Sequence, residues 1–168
     1  TLTTQTIILL NGDDANTVRL AKCFKGKTLK FGVKDYKIVG ESIEHKSEQE
    51  NFDFEAKNVK LKGLAGSSFS LTINHKPYTI NLPLPGIYHI YDTLAAMAAA
   101  FLLNLPTNRS ASWLTDILKN FQPAFGRVEK LEFGSIFLIK NPAGATQVFE
   151  TIAPNLKPND RLLLALND

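Results

Sequence analysis

Four short stretches hold the residues whose types and spacing could do chemistry. Asn11-Gly12-Asp13-Asp14 gathers one amide and two carboxylates in a single turn. His89 and Asp92 are three residues apart. Arg127 follows Gly126 in Phe125-Gly126-Arg127-Val128-Glu129. Lys140 and Asn141 open Lys140-Asn141-Pro142-Ala143-Gly144. Residues three apart in a helix share a face, so His89 and Asp92 can address one partner. A guanidinium binds phosphate oxygens through two parallel bonds, which makes Arg127 a candidate for phosphate. Each stretch also has a plainer reading. Asn11 and the two aspartates are equally a turn with a helix cap. His89 and Asp92 are equally a helix start without a ligand. Arg127 can pair with Glu129 or Glu132, and Lys140 can be a solvated lysine.

The elements that must position these residues follow from the hydrophobic pattern. Thr6 to Leu10 reads as a buried strand, Asp14 to Phe24 as a helix ended by Gly26, and Thr28 to Val33 as a second strand. Strand, helix, strand in that order predicts a parallel pair with a crossover. Asp35 to Asn51 is polar and reads as a surface connection. From Phe52 the apolar residues alternate, through Phe54 and Ala56, Val59 and Leu61, Phe69, Leu71 and Ile73, then Tyr78, Ile80 and Leu82. Alternation of this kind predicts three half-buried antiparallel strands, a small antiparallel sheet, with turns at Gly66-Ser67 and Asn74 to Pro77. Ile87 to Leu103 is alanine-rich and apolar on most faces, the pattern of a core helix. A second helix is expected from Ser110 to Phe121, broken by Pro123. Beyond it, Val128 to Ile139 reads as a hairpin, Asn141 to Gly144 as a turn, Thr146 to Ala153 as a helix and Arg161 to Leu166 as a strand. One hairpin, one helix and one strand do not close a core, so the chain is expected to be part of a larger protein.

Other constellations fail. Gly26-Lys27-Thr28 follows a helix and precedes a strand, the reverse of a phosphate-binding loop. Gly66 to Ser70 misses the nucleophile elbow because Ser70 is not glycine. His45, His75 and His89 lack metal-ligand spacing. Composition narrows the class further. In 168 residues, 44% hydrophobic and 21% charged, a sizeable core is available without disulfides. A single cysteine, Cys23, excludes a disulfide framework and a cysteine zinc site. A net charge of +3, evenly spread, does not suggest nucleic acid. The longest apolar run, Leu94 to Leu103, is half of the ~20 residues that span a bilayer. A soluble cytoplasmic protein with no transmembrane segment is expected.

Taken together, the four stretches, in this order and spacing, resemble the Mur ligase family of ATP-dependent amide-bond-forming enzymes. Members carry an Asn-x-Asp-Asp turn, a Gly-x-x-Asn-x-x-Asn-x-x-Ala-Ala helix start and a Gly-Arg-x-Glu joint between middle and C-terminal domains. Here Gly86 to Ala96 matches the helix start, with His89 and Asp92 in place of the two asparagines. Lys140 to Gly144, with the closing Leu164-Ala165-Leu166-Asn167-Asp168, is most similar to one branch, the MurT-type subunits of lipid II isoglutaminyl synthase. Other members have Asp-Tyr-Ala-His-x-Pro near that place.

The resemblance implies an α/β fold: part of a central domain with parallel strands, helices and a small antiparallel sheet, then the start of a Rossmann-like C-terminal domain. It divides the chain into residues 1–124 and 125–168. It implies that the parent activates a carboxylate with ATP and Mg2+ and lets an amine attack. In the MurT-type case the amine is ammonia from a glutamine amidotransferase partner, and the substrate is the stem-peptide glutamate of the lipid-linked peptidoglycan precursor. The nucleotide contacts it implies are Asn11, His89, Asp92, Arg127, Lys140 and Asn141. The branch's four-cysteine zinc ribbon would fall near Lys34 to Asp53, where there is no cysteine, so no zinc is expected. The family's Gly-Lys-Thr loop is absent, so this chain alone is expected to be inactive. Two alternatives remain open: an amino-acid-adding or folylpolyglutamate-type ligase, and a degenerate Mur-like module that docks a partner.

Overall fold

The computed structural model describes residues 6–34, 36–39, 42–45, 51–73, 76–103, 116–119, 121 and 128–165. Strand β1 (Ile7–Asn11) leads into helix α1 (Ala15–Ala21) and strand β2 (Lys27–Val33). β1 and β2 pair in parallel from Ile7↔Lys27 to Asn11↔Phe31, as strand–helix–strand order requires. α1 is shorter than the expected Asp14 to Phe24. Asp14 caps it, accepting from Asn16 N at 2.8 Å, and Lys22 already closes it. No residue of α1 is fully buried; Thr17, Val18 and Ala21 are half-buried.

Asp35 to Asn51 is not merely a surface connection. Tyr36–Val39 (β3) and Ser42–His45 (β4) pair as an antiparallel hairpin. Tyr36 and Ile43 lie against the core, and this apolar anchorage outweighs the surrounding charge. Phe54–Leu61 (β5), Ser67–Ile73 (β6) and Lys76–Leu82 (β7) form the expected antiparallel meander. They are not a separate sheet. β5 also pairs in parallel with β2 through Phe31↔Phe54 to Val33↔Ala56, giving one mixed sheet of order β1-β2-β5-β6-β7. The break in alternation between Ala56 and Val59 has a cause. The β5–β6 register shifts between Lys57 and Lys60, where Asn58 has φ 53°.

Helix α2 (Tyr88–Leu102) lies on this sheet and supplies most of its cover. Ile90, Leu94 and Met97 pack with Val33, Ala56, Phe69, Leu71, Ile80 and Leu82. Farther along, Ala98 meets Leu29 and Phe54, and the Phe54 and Phe101 rings stand edge to face at 5.6 Å. Of the expected second helix, 116–119 is helical and most of the remainder lies outside the described residues.

The last part is a hairpin, β8 (Val128–Leu131) and β9 (Gly134–Phe137), then helix α3 (Pro142–Ile152). The expected turn at Asn141 to Gly144 is the start of α3 instead. Asn141 Oδ1 accepts from Gly144 N at 2.7 Å, and Pro142 sits where its missing N–H costs nothing. The expected strand from Arg161 is not formed over Arg161–Ala165; Leu166 lies outside the described residues. Leu162, Leu163 and Leu164 are exposed, and a strand without a neighbour leaves its backbone groups unpaired.

Candidate functional site

The Asn11-Gly12-Asp13-Asp14 turn sits at the end of β1. Asn11 Oδ1 accepts from Asp13 N at 3.0 Å, which folds the turn back on itself. Thr17 Oγ1 donates to Asn11 O at 2.6 Å and tightens the step into α1. A Cβ on Gly12 or Gly32 would come within 2.6 or 2.5 Å of the Phe52 ring, so that ring can cover the turn only with glycine at both places. The two aspartates divide the work. Asp14 caps α1, while Asp13 is 6% exposed and points inward. Asp13 Oδ2 accepts from Val33 N at 2.7 Å and from Tyr91 Oη at 2.9 Å. Burial first, then the Asp13 carboxylate, raise the Tyr91 pKa well above its ordinary value. The phenol therefore keeps its proton and donates it. This bond crosses 78 positions of sequence and ties the β1 turn to α2.

Sequence reasoning missed Tyr91. The signal was present: a tyrosine on an otherwise apolar helix face needs a partner for its hydroxyl when buried.

Gly86, with φ 91°, turns the chain into α2. His89 is in the first turn and 6% exposed. Its Nδ1 lies 3.6 Å from Asp92 Oδ2, and its ring centroid lies 4.2 Å from that of Tyr88, the planes tilted by 46°. Its Nε2 is buried and has no hydrogen-bond partner among the described residues. Asp92 is the open member of the pair, its side chain 71% exposed. In the tautomer that places Nδ1–H toward the Asp92 carboxylate, Nε2 carries the lone pair and accepts. An orphaned buried acceptor at a helix start, beside an aromatic ring, suits a flat heterocycle that carries an amine.

Asn11 and the His89–Asp92 pair are thus linked through Asp13 and Tyr91. Lys140 and Asn141 belong to the other part of the chain. Lys140 is exposed just ahead of α3, and the Asn141 side-chain oxygen is committed to the cap. Arg127 and Gly126 lie outside the described residues. A cavity of about 300 Å3 lies between Gly86–Ile87 at the entry to α2, Tyr36 of β3, and Gln147, Glu150 and Thr151 of α3. Of the sequence-derived residues, none of the described ones, Asn11, His89, Asp92, Lys140 and Asn141, lines it. Among the described residues, no group of three His, Cys, Asp or Glu side chains could hold a metal ion. Among them too, no helix is long and apolar enough to cross a membrane.

No family model matches the chain. It is 28% identical over 151 residues to a UDP-N-acetylmuramoyl-L-alanyl-D-glutamate--2,6-diaminopimelate ligase of Listeria monocytogenes, across 87% of this chain and 27% of that ligase. It is 32% identical over 104 residues to the lipid II isoglutaminyl synthase (glutamine-hydrolyzing) subunit MurT of Streptococcus pneumoniae, across 60% of this chain and 22% of that subunit. The crystal structure of MurF from Acinetobacter baumannii has the same fold, with a TM-score of 0.67 and 17% identity over 92% of this chain and 31% of that one. The chain therefore spans 27% of the length of the diaminopimelate ligase it matches.

Proposed function

The chain belongs to the Mur ligase family, and from that premise we propose that the whole protein is an ATP-dependent carbon–nitrogen ligase of peptidoglycan synthesis. The observation that carries this reading is the buried Nε2 of His89 at the start of α2, unpartnered among the described residues. In this reading Nε2 accepts from the exocyclic amine of adenine, and Tyr88 lies beside the base. An acceptor at that place favours ATP over GTP, which presents a carbonyl oxygen there. Asp92 orients the imidazole, and Asn11 holds the turn that supports α2. When bound with Mg2+, ATP would supply the phosphoryl group that activates a carboxylate for attack by an amine. No described residue is assigned to the magnesium.

The boundary falls between residues 1–124, the end of the middle domain, and 125–168, the start of the C-terminal domain. Arg127, at that joint, would grip phosphate oxygens in the closed enzyme. Lys140 would approach the nucleotide from the C-terminal side, with Asn141 holding the helix behind it.

The amine we favour is ammonia, delivered by a glutamine amidotransferase subunit to the stem-peptide glutamate of lipid II at the cytoplasmic face. The similarity to the MurT subunit and the Lys140-Asn141-Pro142 stretch support this. A second reading, addition of an amino acid, is supported by the diaminopimelate ligase matching 87% of the chain. One assay separates them. The whole protein is given ATP, Mg2+ and either lipid II with ammonium or a UDP-linked muramoyl dipeptide with diaminopimelate, and products are read by mass spectrometry. Amidated lipid II is the expected product. An amino-acid adduct moves the protein to the second reading. No ADP release in either mixture ends the ligase reading and leaves a docking module.

A further inference from the structure

The start of helix α2 has no side-chain cap, its N-cap position being held by Ile87. His89, Ile90, Tyr91, Thr93 and Leu94 are all buried, so the helix is enclosed on most faces. Apolar contact is non-directional, so it sets the exact rotation of a helix start less sharply than a directional bond does. Asp13 Oδ2 receives Tyr91 Oη at 2.9 Å while held by Val33 N at 2.7 Å, so the acceptor is itself anchored to the sheet.

Successive residues of an α-helix are separated by about 100°. Fixing the direction of Tyr91 therefore fixes His89 two positions back and Asp92 one position on. We propose that Asp13 and Tyr91 are positioning residues: their bond sets the rotation of the first turns of α2 and so aims His89 and Asp92 at the adenine side of the nucleotide. This rests on the nucleotide reading above. Neither residue touches the nucleotide, and Tyr91 acts through the helix that carries it.

The test is equilibrium binding to the whole protein, wild type, Tyr91→Phe and Asp13→Asn, with ATP and inorganic tripolyphosphate as the two probes. Tripolyphosphate reports the phosphate side alone. Tyr91→Phe keeps the ring and its packing, so it is the variant that folds. Its ATP affinity should fall about tenfold, the scale of one hydrogen bond to a charged group, with tripolyphosphate affinity unchanged. Asp13→Asn should shift the same ratio in the same direction. A merely structural bond would lower the melting temperature and leave the ratio of the two affinities as in the wild type, and that result overturns the proposal. A wild-type protein that binds tripolyphosphate but not ATP ends both this inference and the nucleotide reading. A wild type that prefers ATP, with a Tyr91→Phe variant equal to it, ends this inference alone.

Discussion

The sheet with α2 and the segment from β8 onward are built on different principles. In the first, Val33, Ala56, Leu71, Ile80, Ile90 and Leu94 are wholly buried, and even the polar Asp13 is enclosed and doubly bonded. In the second, Val128, Val148 and Ile152 are the buried hydrophobics, while Phe133 and Leu163 are each 90% exposed. The first region holds its candidate residues by long-range contacts. The second holds Asn141 by a helix cap, a bond between residues three apart, with Lys140 exposed just ahead of it. Residues of the first kind are fixed to the sheet. Asn141 is fixed to its own helix by a local bond.

The comparison is broken most strongly in the core of the first region. Leu94→Ala removes a fully buried side chain and should cost about 3–5 kcal/mol. Calorimetry should show the loss as a lower melting temperature, and hydrogen exchange should rise along α2 and the sheet. A loss under about 1 kcal/mol would mean that α2 does not carry the core.

The second region should respond locally and less. Asn141→Ala deletes the cap of α3 and should cost about 1 kcal/mol. Amide exchange should rise in the first turn of α3 and not in α2. Exchange rising equally in both would show that the two regions unfold as one unit and would erase the contrast.

The smallest effect is expected at Leu163. It is 90% exposed, so Leu163→Ser should change stability by less than about 0.5 kcal/mol. Chemical denaturation of this chain measures it. A larger destabilisation would reveal a packing role for the tail.

Much of the first region was legible in the sequence, because its elements announce themselves locally. The β-branched run before Asn11 and the alternation from Phe54 to Leu82 name the strands. The skipped position at Asn58 even marks the bulge. What was not legible lies between distant residues. The merger of the meander with the parallel pair rests on a three-residue contact of β2 with β5. Hairpin β3–β4 hid in a charged stretch because its anchors, Tyr36 and Ile43, find their partners only in the folded core. Asn11, His89 and Asp92 could be named from the family resemblance of their motifs. Their support by Asp13 and Tyr91 could not, since nothing local pairs residues 78 apart. Arg161 to Ala165 misled for the opposite reason: an apolar run becomes a strand only beside another strand.

The account turns on where adenine binds, and photolabelling reads that most directly. The whole protein would be irradiated with an azidoadenine analogue of ATP, then digested and mapped by mass spectrometry. The account predicts label on the peptide from Gly86 to Asp92, around the buried His89 nitrogen, displaced by ATP and not by GTP. Label confined to any other part of the protein, with none on that peptide, would contradict it.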